Sequence, residues 1–362
     1  MNDLFVILVQ DKKVPSEGTL FWGAKNEDYL RDAFAEAGFD VLYPSDREEK
    51  WSNRNLLFVF KQAFIKDPES LWKTVKESDG YREPGFSLNG LIYYVKKNNP
   101  NVFSWKDDAW EFSSELTRRN DSTVLDIGTV EGFHEAISCY RRRIVERHMK
   151  KGVVFIDPDR TYIDYGVEIG EKTVIYPGCM IEGDTVIREG SVIGPDTIIK
   201  NSRIGKNNTI IKSIITDSEC GNDCNIGPFA YIRPGCMLHD RVKVGDFVEL
   251  KNSEIGETTK IPHLAYIGDA SVGMNTNIAC GVITANYDGK TKHRTVIGNH
   301  AFIGCNVALV APVTVRDGAY IAAGSTITQE VPAHALAIAR ERQTNKEDWV
   351  IKKGLRRDLK ND

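Results

Sequence analysis

The chain has 362 residues, a formal net charge of −4, 27% charged residues and 41% hydrophobic residues. That length suits two domains, and the near-neutral balance argues against a protein held to nucleic acid or to an anionic membrane by a strong positive field. The seven cysteines are an odd number without paired spacing, which argues for reduced thiols in a cytoplasmic protein and against a disulfide scaffold or a zinc site.

The first apolar run, Leu4–Val9, follows Asp3 and is too short for a signal segment or a membrane span. It reads as a strand, as do Phe39–Tyr43, Leu56–Phe60 and Leu91–Val95. Between the first two, Asn26–Gly38 reads as a helix, with Asn26 as its cap, Tyr29, Leu30, Ala33, Phe34 and Ala37 on one face, and Gly38 as its stop. Residues 1–128 are therefore expected to form a small α/β domain. A second helix is expected over Glu131–Lys151 within a linker at 129–152, and its basic last turn suits a helix C-terminus.

From Val153 the pattern changes. Aliphatic residues recur every six positions at Ile169, Ile175, Ile181, Ile187, Ile193 and Ile199, and again at Ile226, Ile232, Leu238, Val244 and Leu250. After a slip in phase the ladder runs through Ile255, Ile261 and Ile267, and a last stretch covers Ile297, Ile303, Leu309, Val315, Ile321 and Ile327. Small or β-branched residues such as Thr173, Cys179, Thr185, Ala301 and Ser325 stand two positions ahead of most rungs. This period fits neither a helix nor an ordinary strand. It is the hexapeptide signature of a parallel β-helix, with three walls and roughly 18 residues per coil. Residues 153–339 are expected to form it, followed by a polar tail at 340–362 in which Trp349 and Ile351 would serve as anchors. Cys179 and Cys236 fall in the small-residue slot, where a thiol packs as a small hydrophobe.

Insertions into a β-helix leave at its corners as loops. The most polar interruption is Ala285–Arg294, which carries Asn286, Tyr287, Lys292 and an Asp288-Gly289 turn signal. Around it lie the polar side chains off the ladder: Arg233, Glu249, Lys251, His263, Tyr266, Asn277 and Arg340. Taken singly, each reads as a solvated surface residue. Spacing changes that reading. Arg233 and Lys251 are about one coil apart and would stack as a phosphate clamp. The same reasoning brings Glu249 to a wall near His263, where a carboxylate would fix the imidazole tautomer.

The run Ile261-Pro262-His263-Leu264-Ala265-Tyr266-Ile267-Gly268-Asp269-Ala270, with Asn286-Tyr287-Asp288-Gly289-Lys290, Val310-Ala311-Pro312-Val313-Thr314-Val315 and Ile321-Ala322-Ala323-Gly324-Ser325, resembles the acetyltransferase half of the bifunctional GlmU family. That family combines N-acetylglucosamine-1-phosphate uridyltransferase and glucosamine-1-phosphate N-acetyltransferase activities. Upstream, Arg142-Arg143-Ile144 with Glu146-Arg147-His148-Met149 is similar to the family's linker helix, and Ile156-Asp157-Pro158 to the entry of its β-helix. The resemblance covers roughly residues 130–350. It implies a left-handed parallel β-helix, a homotrimer with shared active sites, and acetyl-CoA as co-substrate without a metal for the transfer. It makes His263 the general base with Glu249 as partner, and gives Arg233, Lys251, Tyr266 and Asn277 to the amino-sugar phosphate. Asn286, Tyr287, Lys292, Ala323 and Arg340 match the acetyl-CoA site, together with Cys280 and Cys305, which stand where the family has other small residues.

The implied reaction moves an acetyl group from acetyl-CoA to the amine of glucosamine 1-phosphate, feeding UDP-N-acetylglucosamine and cell-wall peptidoglycan. Transfer is expected to be direct rather than through an acetylated Cys280, with a turn near Asn277–Gly281 offering an N–H to the oxyanion. At the N-terminus the chain departs from the family. Gln10–Thr19 holds one glycine where a phosphate-cradling loop needs several, so residues 1–128 read as a reduced nucleotidyltransferase-like domain without uridyltransferase activity. Two alternatives remain at this point: acyl transfer to another amino-sugar phosphate or nucleotide-linked amino sugar, and a trimer that binds a sugar nucleotide without turning it over.

Overall fold

The computed structural model of the protein describes residues 124–127 and 129–355 and, ahead of them, strands and short segments between 4 and 119. The helix expected over Asn26–Gly38 lies outside the described residues. The chain forms two compact units, Met1–Asp223 and Cys224–Asp362.

The first unit opens with a six-stranded mixed sheet in the order Thr117–Arg119, Gly85–Leu88, Ile92–Val95, Asn55–Phe60, Leu4–Val9, Asp40–Leu42. Each of the four strands read from apolar runs is present in it. Leu4–Val9 lies parallel to both its neighbours, which requires crossover connections, and Ile92–Val95 runs antiparallel between Asn55–Phe60 and Gly85–Leu88.

The linker helix spans Val130–Lys150. Thr129 caps it: its hydroxyl accepts from the Gly132 N–H at 3.1 Å and donates to the Asp126 carbonyl at 2.9 Å. Its arginines explain the basic cluster as fasteners. Arg143 donates to the Ile65 carbonyl at 2.8 Å and Arg147 to that of Tyr165 at 2.7 Å. The guanidinium of Arg147 also lies 4.9 Å from the centre of the Tyr165 ring. The basic last turn contains one exception. His148 is 1% exposed, and burial, then the charges of Arg147 and Lys151, hold its imidazole down to about 4.

Both units then wind a parallel β-helix of short strands. Val174 pairs with Val192 and Tyr162 with Met180, each one regular coil further along the chain, as the period implied. Every rung of the ladder is buried, as is every small residue two positions ahead of it, including Cys179 and Cys236. The phase slips are coils of a different length. Ile198 pairs with Ile214, a coil shorter by two positions, and Ile204, Ile210, Ile215 and Cys220 are the buried rungs of this shortened stretch. In the second unit Lys243 pairs with Lys260, one position short of the regular coil. Asn277 pairs with the more distant Phe302, because the polar loop leaves the wall between them.

Corners turn through residues with left-handed φ, such as Asn252 and Asp269, whose short polar side chains hydrogen-bond across coils and tolerate that conformation. The tail carries a short helix, Trp349–Lys352. Trp349 and Ile351, expected to anchor it, are 44% and 51% exposed in the single chain. The anchoring expectation is therefore not met within one copy.

Candidate active site

The expected site residues all lie in the second unit, Cys224–Asp362. Two long strands, Lys243–Lys251 and Lys260–Gly268, form its centre. They pair in parallel with Asp246 opposite His263, Glu249 opposite Tyr266 and Lys251 opposite Gly268. Register therefore assigns partners that differ from those expected from spacing. The carboxylate beside His263 is Asp246, with Oδ1 2.6 Å from the imidazole Nδ1, and not Glu249 as expected. Glu249 instead accepts from Arg233 Nη1 at 2.7 Å. The reason is register: Asp246 stands directly opposite His263, whereas Glu249 stands opposite Tyr266, three positions farther along the same pair of strands. The bond to His263 is the main reason the Asp246 carboxyl lies below the usual carboxylate range. In the neutral imidazole, an Nδ1–H donated to Asp246 leaves the lone pair on Nε2.

Arg233 follows Ile232, which pairs with Leu250, so Arg233 and Lys251 do occupy stacked positions. The cation against Lys251 is a different one, however: the Lys292 ammonium, carried on the polar loop. The hydrogen bond and like charge of Lys251 hold the Lys292 pKa below the ordinary lysine value. Both ammonium groups act on Asp269, a residue to which sequence reasoning gives no role. Asp269 is 8% exposed and accepts from Asn252 Nδ2 at 2.6 Å and from Asn286 Nδ2. Burial pushes its carboxyl up, but the two amides and then the two lysines outweigh burial and keep it below the usual range. Asn286 is thus tied to the wall through its Nδ2, while Tyr287 beside it is 60% exposed.

The loop is fixed at its base. Asp288 accepts from the backbone N–H groups of Lys290 and Thr291 at 2.7 and 2.8 Å and contacts His293 Nε2 at 2.6 Å. Those bonds, led by Thr291, hold the Asp288 carboxyl below the usual range. Tyr287 bridges to Lys292, and Arg294 donates to Ser271 Oγ and to the Ala270 carbonyl. Lys292 is held over the wall in this way.

Tyr266 lies across Gly268, where any added side chain would run into its ring. Asn277 sits between Lys260 and Phe302 in register, on the wall that leads into the His263 corner. That corner continues coil by coil. Gly281, at φ +76, donates to the Leu264 carbonyl at 2.7 Å, Asn306 to that of Cys280 at 2.8 Å and Gly324 to that of Cys305 at 2.8 Å. Asp246, His263, Cys280, Cys305 and Ala323 therefore form one column. Arg340 passes its lower end, where a Cβ on Gly324 would meet its Cδ at 3.6 Å. The column can orient a base, and the Lys251–Lys292 pair, farther along the same strand pair, can hold an anion. Among the described residues no group of three or more His, Cys, Asp or Glu side chains is arranged to hold a metal ion.

Comparison with known proteins bears on this architecture. The model of the bacterial transferase hexapeptide (six repeats) matches residues 166–201, 217–252 and 294–329. The bifunctional protein GlmU of Geobacillus sp. (strain WCH70) is 47% identical over 330 residues, which cover 91% of this chain and 69% of that protein. The chain belongs to the bifunctional GlmU family. Its β-helix is accordingly the left-handed one of hexapeptide acyltransferases. The family member from Acetivibrio thermocellus is 54% identical over 315 residues, 87% of this chain and 66% of that protein. One from Clostridium botulinum (strain ATCC 19397 / Type A) is 53% identical over 232 residues, 64% of this chain and 51% of that protein. The chain thus spans about half to two-thirds of the length of these curated relatives. The 330-residue match is longer than everything after residue 128, so family likeness extends into residues 1–128.

Proposed function

We propose that this protein transfers the acetyl group of acetyl-CoA to the amine of glucosamine 1-phosphate, giving N-acetylglucosamine 1-phosphate for UDP-N-acetylglucosamine and peptidoglycan synthesis in the cytoplasm. The observation that carries the reading is the Asp246–His263 pair, 2.6 Å apart, on the same strand pair that carries, five positions farther along, Lys251, which is paired with Lys292. An ammonium cannot attack a thioester, so the amine must react in its neutral form. The amine arrives neutral, its extra proton already lost to solvent, and as its nitrogen bonds to the thioester carbon His263 Nε2 takes one of its two remaining protons. The tetrahedral oxyanion collapses, the C–S bond breaks, and the imidazolium returns its proton to the departing CoA thiolate. Lys251 and Lys292 neutralise the sugar phosphate, and Arg233, paired to Glu249, borders it. Tyr266 and Asn277 line the sugar. Tyr287, Cys280, Cys305, Ala323 and Arg340 line the approach of acetyl-CoA, and Asn286 keeps Asp269 in place beneath the lysines. No metal enters this transfer.

A homotrimer is part of the reading. The corner residues Phe229, Phe247 and Leu264 are 53%, 58% and 57% exposed and all take left-handed φ, which bulky apolar residues avoid. The rings of Phe229 and Phe247 stack with centroids 5.4 Å apart. An apolar rib held outward in an unfavourable conformation is accounted for by burial against a second copy. We assign no uridyl transfer to residues 1–128, where Gln10–Thr19 holds a single glycine.

The test is acetyl-CoA turnover with glucosamine 1-phosphate, with the acetylated sugar followed by mass spectrometry and His263→Ala run alongside. Product from the unsubstituted chain and little from the variant is expected. A folded trimer that forms no product refutes the acceptor assignment.

A further inference from the structure

The corner column holds two thiols that the transfer reaction does not use. Asn277 pairs with Phe302 and Ile278 with Ile303, and the register continues into the turn, where the Asn306 N–H donates to the Cys280 carbonyl at 2.8 Å. Cys280 and Cys305 therefore occupy the same corner position on successive coils. Adjacent strands lie about 4.8 Å apart, inside the roughly 4.4–6.8 Å range of Cα separations that a disulfide spans. Access separates this pair from the other thiols of the β-helix. Cys305 is exposed and Cys280 half-buried, whereas Cys179, Cys220, Cys224 and Cys236 are buried. Burial pushes the Cys179 thiol up to about 11, which leaves it inert near neutrality. On the opposite side of Cys280 the Gly281 N–H donates to the Leu264 carbonyl at 2.7 Å, which sets His263 one coil back in the same column, where an imidazole can take a thiol proton.

We propose that Cys280 and Cys305 are a redox modification site, a dithiol that closes into an intramolecular disulfide by exchange with a low-molecular-weight disulfide. The Cys305 thiolate attacks one sulfur of that disulfide and releases its first half as a thiolate. The Cys280 thiolate then attacks Sγ of Cys305 and releases the second half. The two cysteines give up two electrons, the small disulfide is reduced to two thiols, and the cysteine protons end on those thiols. Excess small thiol reverses both steps. Closure bridges the corner between His263 and Ala323, so the oxidised chain no longer admits the thioester end of acetyl-CoA. That consequence rests on the acetyltransferase reading, whereas the disulfide itself does not.

The full chain is incubated with oxidised glutathione at neutral pH, its remaining thiols are capped with N-ethylmaleimide, and tryptic peptides are mapped by mass spectrometry. A linked peptide pair containing Cys280 and Cys305 is expected. It should vanish with dithiothreitol, and it should be absent from Cys305→Ala, in which Cys280 carries glutathione. Separate glutathione or maleimide adducts on the two cysteines of the unsubstituted chain, without a linked pair, overturn the proposal. Acetyl transfer in the same samples reads the consequence: linked protein is expected to lose most of its turnover and to regain it with dithiothreitol. Linked protein with unchanged turnover overturns the obstruction. Reduced protein without turnover counts against the acetyltransferase reading and leaves the disulfide standing.

Discussion

Replacing His148 by leucine should remove an acid-sensitive weakness from the linker helix. Among the described residues neither ring nitrogen of His148 has a hydrogen-bond partner, and the side chain is 1% exposed. Burial and the neighbouring cations hold its pKa from the ordinary 6.5 down to about 4. Between those pH values the unfolded chain binds a proton that the folded chain rejects, so stability is complete above 6.5 and falls as pH falls toward 4. Integrated to pH 4.5, the loss is ~2.5 kcal/mol, close to ~80-fold in the opening equilibrium of the helix. Native-state hydrogen exchange of peptides from residues 130–150, corrected for intrinsic rates, reads that opening at pH 7.5 and pH 4.5. Carboxylates elsewhere contribute equally to both proteins, so the difference between them isolates His148. The leucine variant should keep most of the protection that the histidine chain loses, and at pH 7.5 it should be at least as protected, because it no longer buries two unpaired nitrogens. An identical acid loss in both proteins would refute the reasoning. So would a large loss in the variant at pH 7.5, which would mean that the imidazole is bonded after all.

The remaining predictions concern the site and the ladder. His263→Ala should lower kcat by roughly 10²–10⁴-fold with acetyl-CoA binding retained in titration calorimetry; Asp246→Ala, which removes only the orienting partner, should lower kcat less and leave the KM for the amino sugar nearly unchanged in steady-state assays. Lys292→Met should raise the KM for glucosamine 1-phosphate more than it lowers kcat, and the difference from the unsubstituted chain should shrink at high salt. Phe247→Asp should convert the proposed trimer to monomers in sedimentation velocity while circular dichroism stays unchanged; a persistent trimer would remove the apolar rib from the interface. Ile267→Ala, at a fully buried rung, should destabilise the β-helix by about 2–5 kcal/mol in urea unfolding.

The ladder is readable because each rung faces an interior that admits only apolar atoms, so burial imposes its period on the residue types themselves. Corners impose far less on the sequence. The stretch through Ile204, Ile210, Ile215 and Cys220 runs in shortened coils, and its rungs leave the regular phase while remaining buried. The site suffers from the same looseness. Function here depends on which outward residues share a column, and that is sequence position counted modulo the coil length. The regular coil length stacks Arg233 and Lys251 correctly. The 14 positions between Glu249 and His263 are too few for a coil, so register gives His263 to Asp246 and Glu249 to Tyr266. Asp269 leaves little trace for a related reason: its partners Asn252 and Asn286 lie one coil before and one coil after, at corners where Asn and Asp read as ordinary turn residues. Lys292 reaches Lys251 only because the loop that lengthens the coil between Asn277 and Phe302 folds back on a turn held by Asp288. Lys292 is the clearest case of a corner that lengthens its coil, whereas the places of Glu249 and Asp269 are missed because outward residues carry no periodic signal of their neighbours. The corners therefore set the chemistry of this β-helix: they decide which walls fall into register, and an insertion or deletion of one residue between positions 246 and 263 would separate the imidazole from its carboxylate while leaving the buried ladder able to re-form.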